Sequence, residues 1–108
     1  MRPLLLSAVL ILTGCSHTLT LMSKDGTTGT GTASVGVGTG TFKAALEGDT
    51  YRGRWTAVGG GSTSVGTVLA RSDRGGSLRC RFTYGGFTDA GFGTCQDADG
   101  KDYEMQIQ

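Results

Sequence analysis

The stretch "GTGTFKAALEGDTYRGRW", residues 38–55, holds a turn between two alternating runs. With Glu47-Gly48 as a two-residue turn, Leu46 falls opposite Asp49, Phe42 opposite Gly53 and Gly40 opposite Trp55. Each large ring then lies across from a glycine. A strand glycine has no side chain to pack, and an aromatic on the neighbouring strand covers that gap. From 50 to 57, Tyr51, Gly53, Trp55 and Ala57 take one face, and Arg52, Arg54 and Thr56 the other. Such period-two alternation marks a half-buried strand of an antiparallel sheet with one wet face.

The pattern recurs along the chain. In 77–84, Leu78, Cys80, Phe82 and Tyr84 oppose Arg79, Arg81 and Thr83. In 101–107, Tyr103, Met105 and Ile107 oppose Asp102, Glu104 and Gln106. No stretch beyond the N-terminal apolar run sustains a helical period. Residues 91–107, "GFGTCQDADGKDYEMQI", align with 38–55 through Gly38/Gly91, Gly40/Gly93, Gly48/Gly100 and Tyr51/Tyr103. A looser copy runs from Gly66-Thr67 through Gly75 to Phe82, and "LTLMSKDGTTGTGT" (19–32) reads as a degenerate fourth. The turn glycines Gly26, Gly48, Gly75 and Gly100 stand 22 to 27 residues apart, the signature of a repeated hairpin. The first copy resembles the MORN repeat at Gly38, Gly40, Gly48, Tyr51, Gly53 and Trp55. That resemblance implies stacked antiparallel hairpins used for lipid or protein contact, and no catalytic residues.

Ahead of the repeats stands "LLLSAVLIL" (4–12), an apolar run preceded by Arg2. It is too short for a membrane-spanning helix, which takes about 20 residues, and fits the apolar region of a signal peptide. Leu12-Thr13-Gly14-Cys15 resembles the lipobox of bacterial lipoproteins. The resemblance implies cleavage after 1–14, acylation of Cys15 as the first mature residue, and, from Ser16 in place of Asp, retention at the outer membrane. Residues 15–24 are then expected to form a lipidated tether, although "HTLTLM" (17–22) has the look of a strand, and 25–108 the glycine-rich β domain, facing the periplasm or the cell surface.

With Cys15 acylated in an oxidising envelope, Cys80 and Cys95 are expected to form a disulfide. Closing a loop of that size stabilises by roughly 3 kcal/mol in the chain-entropy model. Direct opposition of the two cysteines places Phe82 opposite Gly93 and Tyr84 opposite Gly91. A three-residue loop within "DADGK" (97–101), with Gly100 at positive φ, places Cys95 opposite Tyr103 and Gly93 opposite Met105. Both constraints put Gly91, Gly93 and Cys95 on the inner face, and leave Phe92 outward or at a bulge. The expected fold is all-β: an antiparallel meander of about seven or eight short strands, either a small twisted barrel or a stack of hairpins.

Without Arg2 the basic and acidic residues balance at nine each, so the domain as a whole has no electrostatic footprint for nucleic acid. Arg52, Arg54, Arg79 and Arg81 form an outward basic set, and Asp102 and Glu104 an acidic one. These read either as a solvated face with cross-strand ion pairs or as a contact surface for anionic lipid headgroups or surface sugars. "DADGKDYE" (97–104) departs from the calcium-loop spacing, with Lys101 fifth and Asp102 sixth. Two cysteines and the distant His17 lack zinc spacing. "GTGTASVGVGTG" (29–40) has no Gly-Lys-Ser/Thr ending to make a phosphate loop. Ser34 and Ser64 lack the nucleophile-elbow frame, and the sole histidine, His17, stands two residues from the acylated position. No cofactor, metal or catalytic site is expected. The expected function is a lipid-anchored, non-catalytic envelope module whose partners are the membrane and another envelope protein. The alternative is an envelope-anchored binding or inhibitory module of phage-exclusion or protease-inhibitor type, acting through the loops 58–63 and 85–90. Cys15→Ala is expected to abolish palmitate incorporation in metabolically labelled cells; undiminished labelling would contradict the lipobox reading.

Overall fold

The computed structural model describes residues 16–34, 37–60, 62–85 and 90–108, so that the signal segment 1–14 and Cys15 lie outside the described residues. Among the described residues there are eight strands: β1 Ser16–Met22, β2 Thr28–Ser34, β3 Thr39–Leu46, β4 Asp49–Gly60, β5 Thr63–Ser72, β6 Ser77–Gly85, β7 Ala90–Asp97 and β8 Asp102–Ile107. Each pairs antiparallel with the next, and β1 also pairs with β8, so the meander is a closed barrel and not an open stack of hairpins. The closing register sets Leu19 against Ile107 and Leu21 against Met105. The Gln108 amide donates to the Thr18 carbonyl at 2.9 Å beyond it. Residues 16–22, read as part of a tether, are therefore barrel wall: Leu19 and Leu21 alternate with Thr18 and Thr20 and are fully buried. Among the described residues the barrel begins at Ser16.

Every cross-strand pair derived from the Glu47-Gly48 turn and from opposed cysteines is present: Gly40–Trp55, Phe42–Gly53 and Leu46–Asp49 between β3 and β4, and Cys80–Cys95, Phe82–Gly93 and Tyr84–Gly91 between β6 and β7. Cys95 faces Tyr103 and Gly93 faces Met105. The sulfurs of Cys80 and Cys95 are 2.06 Å apart, a disulfide. Phe92 points outward and is 68% exposed.

One end of the barrel is built from four tight turns. Glu47 (φ 52°) and Gly48 (φ 77°) make the two-residue turn, whose left-handed backbone at both positions suits the strand twist. The other three share one form. Ser23, Ser72 and Asp97 each pair with the residue four positions on, and each accepts from the amide of a positive-φ glycine, Gly26, Gly75 or Gly100, at 3.1 Å. In the last of these, the Asp97 carboxylate accepts from the amides of Asp99 (3.0 Å) and Lys101 (2.9 Å). The Asp97 carboxylate of "DADGK" therefore serves the turn itself.

Lys101 ties three of these turns together. Its Nζ lies 2.9 Å from Asp25 and 3.5 Å from Glu47, and donates to Thr27 Oγ1 at 3.1 Å. Glu47 also accepts from the buried Tyr103 hydroxyl at 2.7 Å. The Lys101 ammonium, with the Ser23 hydroxyl and the Thr27 amide, holds the Asp25 carboxyl well below the usual carboxylate range. Burial, then the hydrogen bond to Glu47, pushes the Tyr103 phenol up to about 12. Beneath the turns Leu21, Ala44, Leu46, Leu78, Tyr103 and Met105 fill the lumen.

Two outcomes test this architecture. Replacing both cysteines by serine is expected to cost about 2–4 kcal/mol in urea unfolding, and both thiols should be alkylated only after reduction; an unchanged midpoint would show that the staple adds nothing. Tyr103 keeps its proton in the folded state above the ordinary tyrosine pKa of about 10, so the unfolded state binds fewer protons there and stability falls as pH rises from about 10 toward 12. The Tyr103→Phe protein is expected to be less stable near neutrality, but to lose less stability across that alkaline window. An identical alkaline slope for the two proteins would refute the assignment.

Candidate functional site

The strand registers place Arg52, Arg54, Arg79 and Arg81 on one outer wall. Arg52 stands opposite Lys43 on β3 and Arg71 on β5. Arg54 stands opposite Leu69, and Leu69 opposite Arg79. Arg81 lies opposite Thr67. The set named from the sequence is thus enlarged by Lys43 and Arg71 to six cations on four adjacent strands, around Leu69, which is 65% exposed. These residues lie on the half of the wall nearer the four tight turns and reach its middle at Arg81.

Cross-strand neutralisation of this wall is slight. Among the described residues Arg52 has one ion pair, with Asp73 at 4.0 Å, both side chains largely exposed. Arg54 donates to Thr39 Oγ1 at 3.4 Å. The acids on β8 do not reach the arginines, because β7 stands between. Gln96 lies between Arg79 and Asp102, and Thr94 between Arg81 and Glu104. Gln96 Nε2 donates to Asp102 at 3.1 Å, which occupies that carboxylate locally. Like charges directly opposed, as in the row Lys43–Arg52–Arg71, destabilise a sheet. The fold keeps six cations together at that cost.

The other end of the barrel carries a second feature that the sequence reading did not single out. A cavity of about 810 Å³ opens there, walled by Phe42, Trp55, Val68, Phe82, Met105 and Ile107. It exists because the inward residues near this end are small, among them Ala33, Gly40, Ala57, Ser64 and Gly66. The rings lie back on the neighbouring strands: a methyl at Gly40 would meet the Trp55 indole, and one at Gly66 the Phe82 ring. Trp55 Nε1 donates to the Ser34 carbonyl at 3.0 Å, pinning the indole to the wall. At the rim, His17 and Tyr84 stack edge to face with centroids 5.1 Å apart. His17 Nε2 is 3.4 Å from the Tyr84 hydroxyl, and Nδ1 is 3.3 Å from the Gln108 carbonyl.

Tyr51 and Trp55, placed on one face of the strand by their alternation, divide: Tyr51 is buried, whereas Trp55 is half-buried and lines the cavity. Ser34 Oγ accepts from the Thr41 amide at 2.8 Å, a structural bond within the wall. Of the segments 58–63 and 85–90, read as loops, Val58–Gly60 belong to β4, Thr63 to β5, Gly85 to β6 and Ala90 to β7, and residues 61 and 86–89 lie outside the described residues. A run of small inward residues at the far ends of β2 to β5 was the available signal for the cavity. It reads as strand-weakening glycine until the rings are placed. No protein-family model, curated protein or solved structure matches this chain.

Proposed function

We propose that this protein is a lipid-anchored, non-catalytic module of the bacterial cell envelope, held by acylated Cys15 at the outer membrane and facing the periplasm. Its basic wall is the contact surface for anionic groups, either lipid phosphates or the charged sugars of the cell surface. The observation that carries this reading is the convergence of Lys43, Arg52, Arg54, Arg71, Arg79 and Arg81 on one side of a domain whose charges balance overall, with a single exposed ion pair to these six among the described residues. Several arginines on a rigid sheet present planar donors at fixed spacing, which suits phosphate and carboxylate.

The anchor and the charge distribution fit the same picture. Ser16, one residue from Cys15, stands at the open end of the barrel. Asp25, Glu47, Asp49, Asp97 and Asp99 gather around the opposite end. Among the described residues the open end is therefore poorer in acids than the closed end. A non-catalytic role is supported by His17, whose ring nitrogens face Tyr84 and a main-chain carbonyl, not a serine. The second reading, a binding or inhibitory module, draws support from Val58, 76% exposed on the rim beside the cavity mouth.

Flotation with vesicles tests the first reading. The protein is expected to bind phosphatidylglycerol-containing vesicles more tightly than pure phosphatidylcholine, with the difference erased by high salt. Each basic residue at a charged surface contributes about 1 kcal/mol, so Arg54→Ala with Arg79→Ala should weaken binding about 30-fold. Binding to isolated surface glycans with no vesicle preference assigns the wall to sugars. Equal affinity of wild type and double variant for both would overturn the proposal.

A further inference from the structure

We propose that the open half of the barrel is a binding site for a single alkyl chain, taking the tail of an amphiphile into the lumen and leaving its polar head at the rim. The argument starts from what the cavity offers. Its volume, about 810 Å³, falls in the range of small-molecule pockets, roughly 300–1,000 Å³. An eight-stranded barrel has room for its own side chains or for one small ligand. This barrel does both, filling one half with Leu21, Leu46, Leu78 and Tyr103 and leaving the other half open.

The wall chemistry selects the occupant. Phe42, Trp55, Val68, Phe82, Met105 and Ile107 offer hydrocarbon, ring and thioether surface. The indole N–H, a strong donor on that wall, is already held by Ser34. A sugar, nucleotide or peptide entering this space would lose hydrogen bonds to water and find few in return, at about 1–3 kcal/mol for each group left unpaired. A hydrocarbon chain loses nothing of that kind and gains about 0.8 kcal/mol per buried CH₂. Polar side chains come at the mouth: Ser16, His17, Ser62, Ser64 and Tyr84. The order from floor to rim, apolar then polar, is that of an amphiphile entered tail first.

The shape agrees. Trp55 and Phe82 meet edge to face at 6.5 Å and lie over glycines of adjacent strands, Gly40 and Gly66. Rings laid along the wall leave an axial passage in place of a wide bowl, which suits one flexible chain better than a fused ring system. Val68 and Met105, each nearly inaccessible to water, border its inner end. The inference is independent of acylation at Cys15 and of the basic wall, since it rests on the lumen alone.

Trp55 is the single tryptophan of the chain and stands on the cavity wall, so its fluorescence reports occupancy directly. The full chain carrying Cys15→Ser, which removes any acyl group of its own, is titrated with dibromostearate and with a lysophospholipid bearing the same brominated tail. Saturable quenching at one ligand per chain is expected. Quenching by both probes identifies the tail as the recognised part, and quenching by the fatty acid alone limits the head to a small acid; either supports the site. Ala57→Phe and, nearer the rim, Ser64→Phe plug the passage and should weaken binding at least about tenfold, with circular dichroism and melting confirming that the variant used is folded. No saturable quenching, or quenching unchanged in a folded plugged variant, would overturn the proposal.

Discussion

Trp55 lies on Gly40, Phe82 on Gly66 and Tyr84 on Gly91. This contact, a ring from one strand resting on the bare backbone of the next, governs both the wall and the lumen. A strand glycine weakens a sheet because it packs nothing, and the overlying ring restores the missing surface. It also constrains register, since a slip by one residue would carry each ring to the outer face and leave the glycine bare. The constraint is reciprocal: the glycine cannot grow without striking the ring, and the ring cannot turn inward without uncovering the glycine. Rings held against the wall do not fill the axis, so the open half of the barrel is a consequence of the same contacts that specify its pairing.

Those contacts explain what could be read from the chain. The pairings of β3 with β4, β6 with β7, and β7 with β8 follow from local turns, from glycines facing aromatics and from two opposed cysteines, all within about 20 residues of sequence. Closure of β1 on β8 joins positions some 85 residues apart, and no turn or motif specifies it. Barrel and open stack therefore remained equal alternatives until Leu19 met Ile107. The basic wall was half legible. Arg52, Arg54, Arg79 and Arg81 fall in strands whose apolar residues keep to one face. Arg71 falls in β5, where Val65 and Leu69 point outward while Val68 and Ala70 point in. Apolar residues on both faces hide the period, and Arg71 with it. The cavity was not legible because small inward residues have two meanings, a weak strand or an unfilled lumen, and only the positions of the rings distinguish them.

The distribution of charge separates the two ends and one side. Acids collect at the closed end, where Lys101 and the Tyr103 hydroxyl absorb Asp25 and Glu47 into the joints between turns. Cations collect on the wall of β3 to β6, with few partners. Exposed pairs contribute about 0–1 kcal/mol each, so pairing only Arg52 with a carboxylate among the described residues forfeits little. Stacking Lys43, Arg52 and Arg71 in one row, however, is an active cost. A local rule broken without a structural return is the kind of departure expected at residues kept for contact, and it is the ground on which the wall is proposed as a contact surface.

Leaving half a lumen unfilled forgoes hydrophobic stabilisation of about 25 cal/mol per Å² of surface not buried, a large loss for so short a chain. The compensation lies at the boundary between the two halves. Val68, Cys80, Cys95 and Tyr103 form one inward row across β5, β6, β7 and β8, and Val68 also borders the inner end of the cavity. The disulfide thus sits at the level where close packing gives way to open space. Above it, rings on glycines hold the strands together without filling the axis; below it, the leucines and the latched turns form a conventional core. A covalent bond there constrains β6 and β7 without occupying the volume that additional side chains would need. The staple and the cavity are on this view parts of one arrangement: a wall rigid enough to stand open at one end because it is fixed at its middle and tied at the other.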